Sequence, residues 1–291
     1  MSTIEKIITS SNHFPEMIFK FKELAIFIKL LQFIIELFVD LRQYFKLSNK
    51  IIPEFLTKIN ITSEEYIKGK IYKKDKMFFS LCVETFKLLV DIIMLYNFFP
   101  AYEWKIAGEI LEKISLDPNH EFYRAYTLMI MESIRELIIG IPNSYYSIFI
   151  IEEKHGFNKQ TIGLFIYDTT LSFGLNTVIT FPILWGFLKV VEYGGEYFFF
   201  YVEIFIFFVI FVGLLIWPNF IAPLFNKFEE LEDGSLKDGI NKLAANLKFP
   251  VTKVFICDGS KRSGHSNAYF YGFGSYKRIV LYDTLVKQMK E

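Results

Sequence analysis

The stretch that decides the fold of this chain is Tyr197-Phe-Phe-Phe-Tyr-Val-Glu-Ile-Phe-Ile-Phe-Phe-Val-Ile-Phe-Val-Gly-Leu-Leu-Ile-Trp217. Its single charged residue is Glu203, and almost every other position is aliphatic or aromatic. About 20 consecutive apolar residues are needed for an α-helix to cross the hydrocarbon core of a bilayer. The stretch therefore predicts a membrane-spanning helix.

Four further stretches have the same character, and they are residues 23–39, 77–99, 128–150 and 169–190. The first contains Lys29, and the third is the weakest because Glu132, Arg135 and Glu136 interrupt it. Apolar residues make up 52% of the chain, and five long apolar blocks are more typical of a membrane protein than of a soluble one. The sequence predicts a mainly α fold: a polytopic α-helical membrane bundle of about five transmembrane helices over residues 1–217.

Basic residues are distributed unevenly among the connecting segments. Segments 40–76 and 151–168 hold nine and two Lys or Arg, the tail 218–291 holds eleven, and segments 100–127 and 191–196 hold three and none. With five spans, segments 40–76, 151–168 and 218–291 share one side of the membrane, and together they hold most of these Lys and Arg residues. The positive-inside rule places that side, including the C-terminal tail, in the cytosol. The formal net charge of zero gives no reason to propose a nucleic-acid partner.

Charged residues inside the predicted spans require partners, because ionisable groups rarely face lipid. Glu84, Lys87 and Asp91 are spaced to share one helical face, and a second group surrounds Arg135. Two interpretations stay open from spacing alone. The groups line a polar chamber between the helices, or they form structural ion pairs that hold the helices together.

The tail 218–291 has the pattern of a small α+β segment. The predicted elements are a helix over Ser235–Leu247, strands over Val251–Cys257, Ala268–Tyr271 and Arg278–Tyr282, and a helix over Thr284–Glu291. Asp283 is the expected N-cap of the last helix. The polar residues Asp258, Lys261 and Arg262 are expected to form a solvated loop after the first strand.

Six strings, in order along the chain, carry a resemblance to a known family. They are Leu41-Arg-Gln-Tyr44, Ile151-Glu-Glu-Lys-His-Gly-Phe-Asn-Lys-Gln-Thr161, Tyr193-Gly-Gly-Glu-Tyr-Phe-Phe199, Ile221-Ala-Pro-Leu-Phe-Asn-Lys-Phe228, Gly259-Ser-Lys-Arg-Ser-Gly-His-Ser-Asn-Ala-Tyr-Phe-Tyr-Gly272 and Lys277-Arg-Ile-Val-Leu-Tyr-Asp-Thr-Leu285. Together they resemble the CAAX prenyl protease 1 family of integral-membrane zinc metalloproteases.

The resemblance implies a zinc metalloendopeptidase that removes the carboxyl-terminal tripeptide of prenylated CAAX proteins. Its partners would be a prenylated CAAX protein or peptide and the lipid bilayer. The expected location is the endoplasmic reticulum membrane or the nuclear envelope. The resemblance also implies a division into a transmembrane region, 1–217, and the incomplete start of a metallopeptidase domain, 218–291.

The sequence departs from the family pattern at the zinc site. Family members hold zinc with two histidines of an HExxH helix and a distant glutamate, but no HExxH occurs among the four histidines of this chain. We therefore assign no catalytic residue and no metal ligand. The expectation is that the chain is truncated before the zinc motif, lacks a complete zinc site and is inactive alone.

The resemblance implies substrate-binding roles for His265, Asn267, Ala268 and Tyr269. In the family, the strand that begins here can pair with an extended substrate through main-chain hydrogen bonds. The alternative is that His265 and Asn267 only satisfy a polar loop. For His155, a turn beside Gly156 is favoured over a metal ligand.

Two other function classes compete with a protease. The first is a non-catalytic membrane pseudoenzyme that binds prenylated peptides or lipids. The second is an unrelated transporter or channel, which the intramembrane charges suggest but no inverted repeat supports.

Overall fold

The computed structural model describes residues 14–48, 51–58 and 61–289. They are mainly helical and include a small mixed sheet. The chain divides into two compact units, residues 1–147 and 148–291. The helices of the first unit are α1 (Phe14–Leu47), α2 (Glu54–Thr57), α3 (Ser63–Tyr96), α4 (Phe99–Lys113) and α5 (Glu121–Tyr145).

In the first unit, the long helices α1 and α3 pack together, and α4 packs against α5. A capping box starts α3: the Thr62 hydroxyl accepts from the Glu65 N–H, and the Glu65 carboxylate accepts from the Thr62 N–H. The Lys29 ammonium of α1 pairs with the Asp91 carboxylate of α3.

The charged group around Arg135 resolves into an ion pair between helices. The Arg135 guanidinium of α5 donates to the Glu103 carboxylate of α4, and it lies 4.0 Å from Glu132 of its own helix. Glu103 is the most deeply buried charged residue among those described, with 4% of its surface exposed. The structure therefore contains interhelical ion pairs at both Asp91 and Arg135.

The second unit begins with a helical hairpin. A π-helix, Tyr146–Glu152, crosses the boundary between the units, and α6 (Ile162–Gly194) follows a short loop. The Thr161 hydroxyl caps α6 by accepting from the Leu164 N–H at 3.2 Å. A 3₁₀ turn then leads into α7 (Phe198–Ile216), which packs against α6.

One helical stretch among the described residues, Ile162–Phe225, is long and apolar enough to cross a membrane by length and composition. The predicted spans 169–190 and 197–217 both lie within it. Of the remaining predicted spans, 23–39 lies on α1, and 128–150 covers most of α5 and part of the π-helix that follows it. The span 77–99 lies mostly on α3, which ends at Tyr96, and its last residue, Phe99, is the first residue of α4.

After α7 the chain forms a π-helix over Trp217–Ile221 and a single helical turn, α8 (Ala222–Phe225). The α+β segment then follows. Its elements are β1 (Phe228–Glu230), α9 (Ser235–Asn246), β2 (Val251–Cys257), β3 (Ala268–Phe273), β4 (Tyr276–Tyr282) and α10 (Asp283–Gln288).

The four strands form a sheet in the order β1-β2-β4-β3. β2 runs parallel to β4, while β1 and β3 are antiparallel to their neighbours. One face of the sheet carries a core made by Leu231, Val254, Leu281 and Val286, against which α9 and α10 pack. Burial of these side chains stabilises the segment by about 1.5–3 kcal/mol for each fully buried residue.

The predicted strand over Val251–Cys257 and the helix that starts at Ser235 are confirmed, and β3 and β4 extend slightly beyond their predicted bounds. Two predictions are wrong. The acidic segment 229–234, whose composition predicts a turn, begins inside the strand β1, and the N-cap of α10 is Tyr282 rather than Asp283. Asp283 is instead the first residue of α10, and its carboxylate binds Ser260 across the loop. The end of the predicted last helix, at residues 290–291, lies outside the described residues.

Candidate functional site

The candidate site is built around the loop 258–267, which joins β2 to the edge strand β3. On the side of the sheet, the Asp283 carboxylate accepts from the Ser260 N–H at 2.9 Å and from the Ser260 hydroxyl. The Thr284 hydroxyl donates to the His265 carbonyl at 3.0 Å. These bonds attach the loop to the start of α10.

Asp283 is held ionised by these contacts. Its partial burial alone would raise the pKa of the carboxyl, but the hydrogen bonds from Ser260 and Thr284 and the charge of Lys287 outweigh burial and leave the pKa below its usual range. A carboxylate with a lowered pKa stabilises the folded loop above the ordinary aspartate pKa. The stabilisation is lost as the pH falls through the pKa of the folded state.

β3 presents a free edge. Within the described part of the chain, β4 is the one strand that pairs with it. The Tyr282 N–H donates to the Asn267 carbonyl at 2.9 Å, and bonded and non-bonded pairs alternate along an antiparallel ladder. The N–H and C=O groups of Ala268 and Phe270 therefore point away from β4. At the start of this edge, the Asn267 side chain accepts from the Ala268 N–H at 2.8 Å.

His265 lies where the loop meets the segment that precedes α6. Its Nε2 is 3.1 Å from a carboxylate oxygen of Glu152, the last residue of the first π-helix. Its ring stacks on Phe157 with 4.0 Å between ring centres. Glu152 is largely buried, whereas His265 keeps 42% of its side chain exposed. His265 thus has a fixed orientation and remains accessible.

Arg262 contradicts the prediction of a solvated loop. Its guanidinium donates to both carboxylate oxygens of Asp168 on α6, at 2.8 and 2.7 Å, and to the Asn226 side chain at 2.6 Å. The hydrogen bond with Asp168 raises the pKa of Arg262, so the guanidinium stays charged. The reason for the wrong prediction is tertiary: Asp168 is remote in sequence but adjacent in the fold. Lys261 stays near Asp258, at 3.5 Å, as a more exposed pair.

An apolar cavity of about 510 Å³ lies beside the edge strand. Tyr269 and Tyr271 of β3 line it, together with apolar residues at the end of α7 and in the following turn, such as Leu214 and Trp217. Burial raises the pKa of Tyr269 to about 12, so its phenol stays protonated at neutral pH. The residue is therefore a neutral, mostly apolar wall of the cavity.

The structure thus brings the four predicted site residues together along one loop and strand edge. Sequence reasoning missed Glu152 as the partner of His265, and it missed Asp168 and Asn226 as the partners of Arg262. One signal was available for Asp168, since a single carboxylate at the start of an apolar span usually has a partner. His155 lies in the turn predicted beside Gly156, whose φ of 79° suits glycine.

Comparisons with known proteins match this arrangement to one family. Residues 42–227 match the model described as CAAX prenyl protease N-terminal, five membrane helices. Residues 230–291 match Peptidase family M48. The chain belongs to the CAAX prenyl protease 1 family.

Curated relatives and a solved structure agree with this membership. The chain is 40% identical over 270 residues to a CAAX prenyl protease 1 homolog of Arabidopsis thaliana, covering 93% of this chain and 63% of the relative. It is 38% identical over 248 residues to the human homolog, covering 85% and 52%. The crystal structure of S. mikatae Ste24p superposes with a TM-score of 0.81 at 39% identity, covering 91% of this chain and 62% of that one. The chain therefore spans between about half and two thirds of the length of these relatives.

The M48 family is a metallopeptidase family, so the described residues can be tested as metal ligands. Among residues 14–48, 51–58 and 61–289, no group of three or more His, Cys, Asp or Glu side chains is placed to hold a metal ion. The pair of His265 and Glu152 would supply two ligands, one fewer than the three protein ligands of a hydrolytic zinc site. These residues do not fit a zinc site by themselves.

Proposed function

We propose that this chain supplies the membrane region and the substrate-binding edge of a metallopeptidase that removes the carboxyl-terminal tripeptide of prenylated CAAX proteins. The observation that carries the proposal is the free edge of β3 beside an apolar cavity. An extended peptide can add to such an edge through main-chain hydrogen bonds, while its alternate side chains enter neighbouring pockets.

The cavity suits the chemistry of the proposed substrate. Side chains of an added strand alternate between the two faces of the sheet, so every second one would face the side of Tyr269 and Tyr271. The walls on that side are apolar, which favours aliphatic residues such as those of a CAAX sequence. In this proposal Ala268 contributes its carbonyl, because its N–H already donates to the Asn267 side chain. Asn267 shapes the start of the edge, and His265 lies beside it.

The proposal includes a place in the cell and a topology. About five helices cross the endoplasmic reticulum membrane or the nuclear envelope, and the C-terminal tail faces the cytosol. The family description of five membrane helices and the distribution of Lys and Arg among the segments support this arrangement. We further propose that residues 1–291 do not cleave peptides by themselves, because the sequence contains no HExxH motif.

The test measures peptide binding by the chain in lipid nanodiscs. The probe is a fluorescein-labelled farnesylated CAAX peptide, followed by fluorescence anisotropy. Two derivatives carry N-methyl groups on alternate residues: one on the odd-numbered residues of the peptide and the other on the even-numbered residues. Methylation in the register that faces β3 should weaken binding about tenfold, because two or more hydrogen bonds are lost. Methylation in the other register should have little effect and serves as the matched control.

Equal binding of the two methylated peptides, or no binding of the parent peptide, would contradict strand addition at β3. Mass spectrometry of the same samples with added zinc checks the second part of the proposal. Zinc-dependent release of the tripeptide would show that residues 1–291 suffice for catalysis.

A non-catalytic protein that binds prenylated peptides is the second candidate. It is favoured by the absence of a third metal ligand beside His265 and Glu152 among the described residues. Binding without cleavage by the natural, membrane-extracted protein would support it over the protease.

A further inference from the structure

The Arg262 guanidinium lies at the open end of the helical hairpin formed by α6 and α7. Asp168 belongs to the second turn of α6, and Asn226 directly follows α8, beyond the end of α7. The Tyr167 hydroxyl donates to the Leu224 carbonyl at 3.4 Å, which confirms that the two ends of the hairpin meet here. Arg262 therefore binds both ends of the hairpin at once.

The contact between Arg262 and Asp168 is mostly buried and has several hydrogen bonds, so it can hold the loop 258–267 in one position on the hairpin. Arg262 and Asp168 keep only 21% and 17% of their side chains exposed. The Gln160 side chain donates to the same carboxylate at 2.8 Å, and the Arg262 carbonyl accepts from the Lys159 N–H at 3.1 Å. A two-point contact between a guanidinium and a carboxylate fixes orientation as well as distance, which a lysine cannot reproduce.

The loop that Arg262 holds leads directly to the candidate site. His265 follows three residues later, and β3 begins at Ala268. The Gly264 N–H donates to the Phe157 carbonyl at 2.7 Å, so the stretch between them also lies against the segment before α6. On its other side, the loop is attached to the sheet through Ser260, His265 and Asn267.

Loss of the Arg262 contact would therefore have a selective effect. The bonds from the loop to α10 and β4 would remain, so the sheet and its core would stay folded. The attachment to the hairpin would be weakened. The Arg278 guanidinium would still donate to Asn219 at 3.0 Å, so the free edge of β3 would stay near the end of α7 but would be held there less tightly. The cavity lies between those two elements, and its shape depends on that distance.

We propose that Arg262 is a positioning residue, which acts through Asp168 and Asn226 to set the edge strand β3 and His265 against the α6–α7 hairpin. It does not touch the substrate in this proposal. The inference rests on the proposed function, because it assigns a role in forming the peptide-binding edge and its cavity.

The first measurement is peptide affinity in nanodiscs, with the labelled farnesylated peptide and its two methylated derivatives. Arg262→Lys keeps the positive charge but loses the planar guanidinium that donates two parallel hydrogen bonds to Asp168. Asp168→Asn keeps the shape of the side chain but loses its negative charge. Each should raise the Kd of the parent peptide about tenfold and reduce the difference between the two methylated peptides. Lys253→Gln is the control, since it breaks an exposed 2.8 Å pair with Glu230 on the same sheet.

A merely structural role would give a different result. It would lower the number of binding sites per chain and the thermal midpoint, while the remaining sites kept the parent Kd and the parent selectivity. That result, or an unchanged Kd in both variants, would overturn the proposal. In the double variant with Arg262→Lys and Asp168→Glu, the longer carboxylate side chain compensates for the shorter lysine. We expect its affinity for the parent peptide to lie between that of Arg262→Lys and that of the unmodified chain.

Hydrogen exchange separates a failure of this inference from a failure of the proposed function. Arg262→Lys should speed amide exchange about tenfold in residues 263–270, whereas the amides of β2 and β4 should keep their rates. If the unmodified chain binds no peptide, the proposed function fails, and this exchange pattern alone decides whether Arg262 positions the edge. Unchanged exchange in residues 263–270 would overturn the positioning role.

Discussion

At the scale of single residues, the ion pair of Glu103 and Arg135 is the contact in the first unit whose loss should lower stability most clearly. Glu103 is 4% exposed, and its second carboxylate oxygen has no hydrogen-bond partner among the described residues. A buried ion pair of this kind contributes little compared with an apolar pair, but removing one partner leaves the other charge uncompensated. The pair therefore makes the packing of α4 on α5 sensitive to either residue.

Glu103→Gln should lower the free energy of unfolding by about 2–3 kcal/mol, because Arg135 would lose its charged partner while the shape of the side chain is retained. The matched control is Glu109→Gln on the same helix. It breaks an exposed 3.8 Å pair with Lys105 and should change stability by less than about 0.5 kcal/mol. Thermal unfolding of the purified chain in detergent measures both, and equal effects would show that the buried pair is not special.

Residue partners were the part of the site that the sequence could not supply. Patterns along the chain place Arg262 in a polar loop, which is correct, but they place Asp168 in the connecting segment 151–168, whereas it lies in the second turn of α6. The two residues are 94 positions apart, and spacing rules for helices and strands reach only a few residues. Glu103 presents the same difficulty, since it lies outside the apolar stretch that contains Arg135.

At the scale of elements, the edge strand β3 carries the proposed function, and a proline tests it. Phe270 has its N–H on the free side, so Phe270→Pro removes an edge donor without breaking the ladder with β4. We expect peptide affinity to fall about fivefold below that of Phe270→Ala, which corresponds to one hydrogen bond.

The alanine variant controls for the loss of the aromatic contact between Phe270 and Phe249, whose ring centres are 5.1 Å apart. Anisotropy with the farnesylated peptide gives both affinities, and thermal midpoints confirm that the sheet survives. Matching affinities for the two variants would mean that the Phe270 N–H takes no part in binding.

Elements with strong local patterns were predicted well, and those that depend on partners were not. Val251–Cys257 is rich in β-branched and apolar residues, and it is a strand with those bounds. β1 is only three residues long and carries two glutamates, so its local pattern resembles a turn. It is a strand because Phe228 and its neighbours pair with β2. The order of the strands likewise depends on contacts that the sequence does not display.

At the scale of the whole molecule, the distribution of basic residues predicts which segments share a side of the membrane. Segments 40–76 and 151–168 and the tail lie on one side in this arrangement, and segment 100–127 lies on the other. The chain contains its own acceptor for N-glycosylation, Asn60-Ile-Thr62, within the first of these segments.

Glycosylation in microsomes tests this topology. An Asn-Ser-Thr acceptor in a Gly-Ser spacer, inserted after Pro118, should gain a glycan because the lumen contains the transferase. The same insertion after Glu232 should not, and neither should Asn60 in the unmodified chain. Both insertion points lie in short connections between elements and next to exposed residues, Asn119 and Glu232, where added residues are tolerated. Sensitivity of the mobility shift to a glycosidase identifies the modification. A glycan on Asn60 would place segment 40–76 in the lumen, and a glycan on the acceptor after Glu232 would place the tail there. Either result would contradict the proposed orientation.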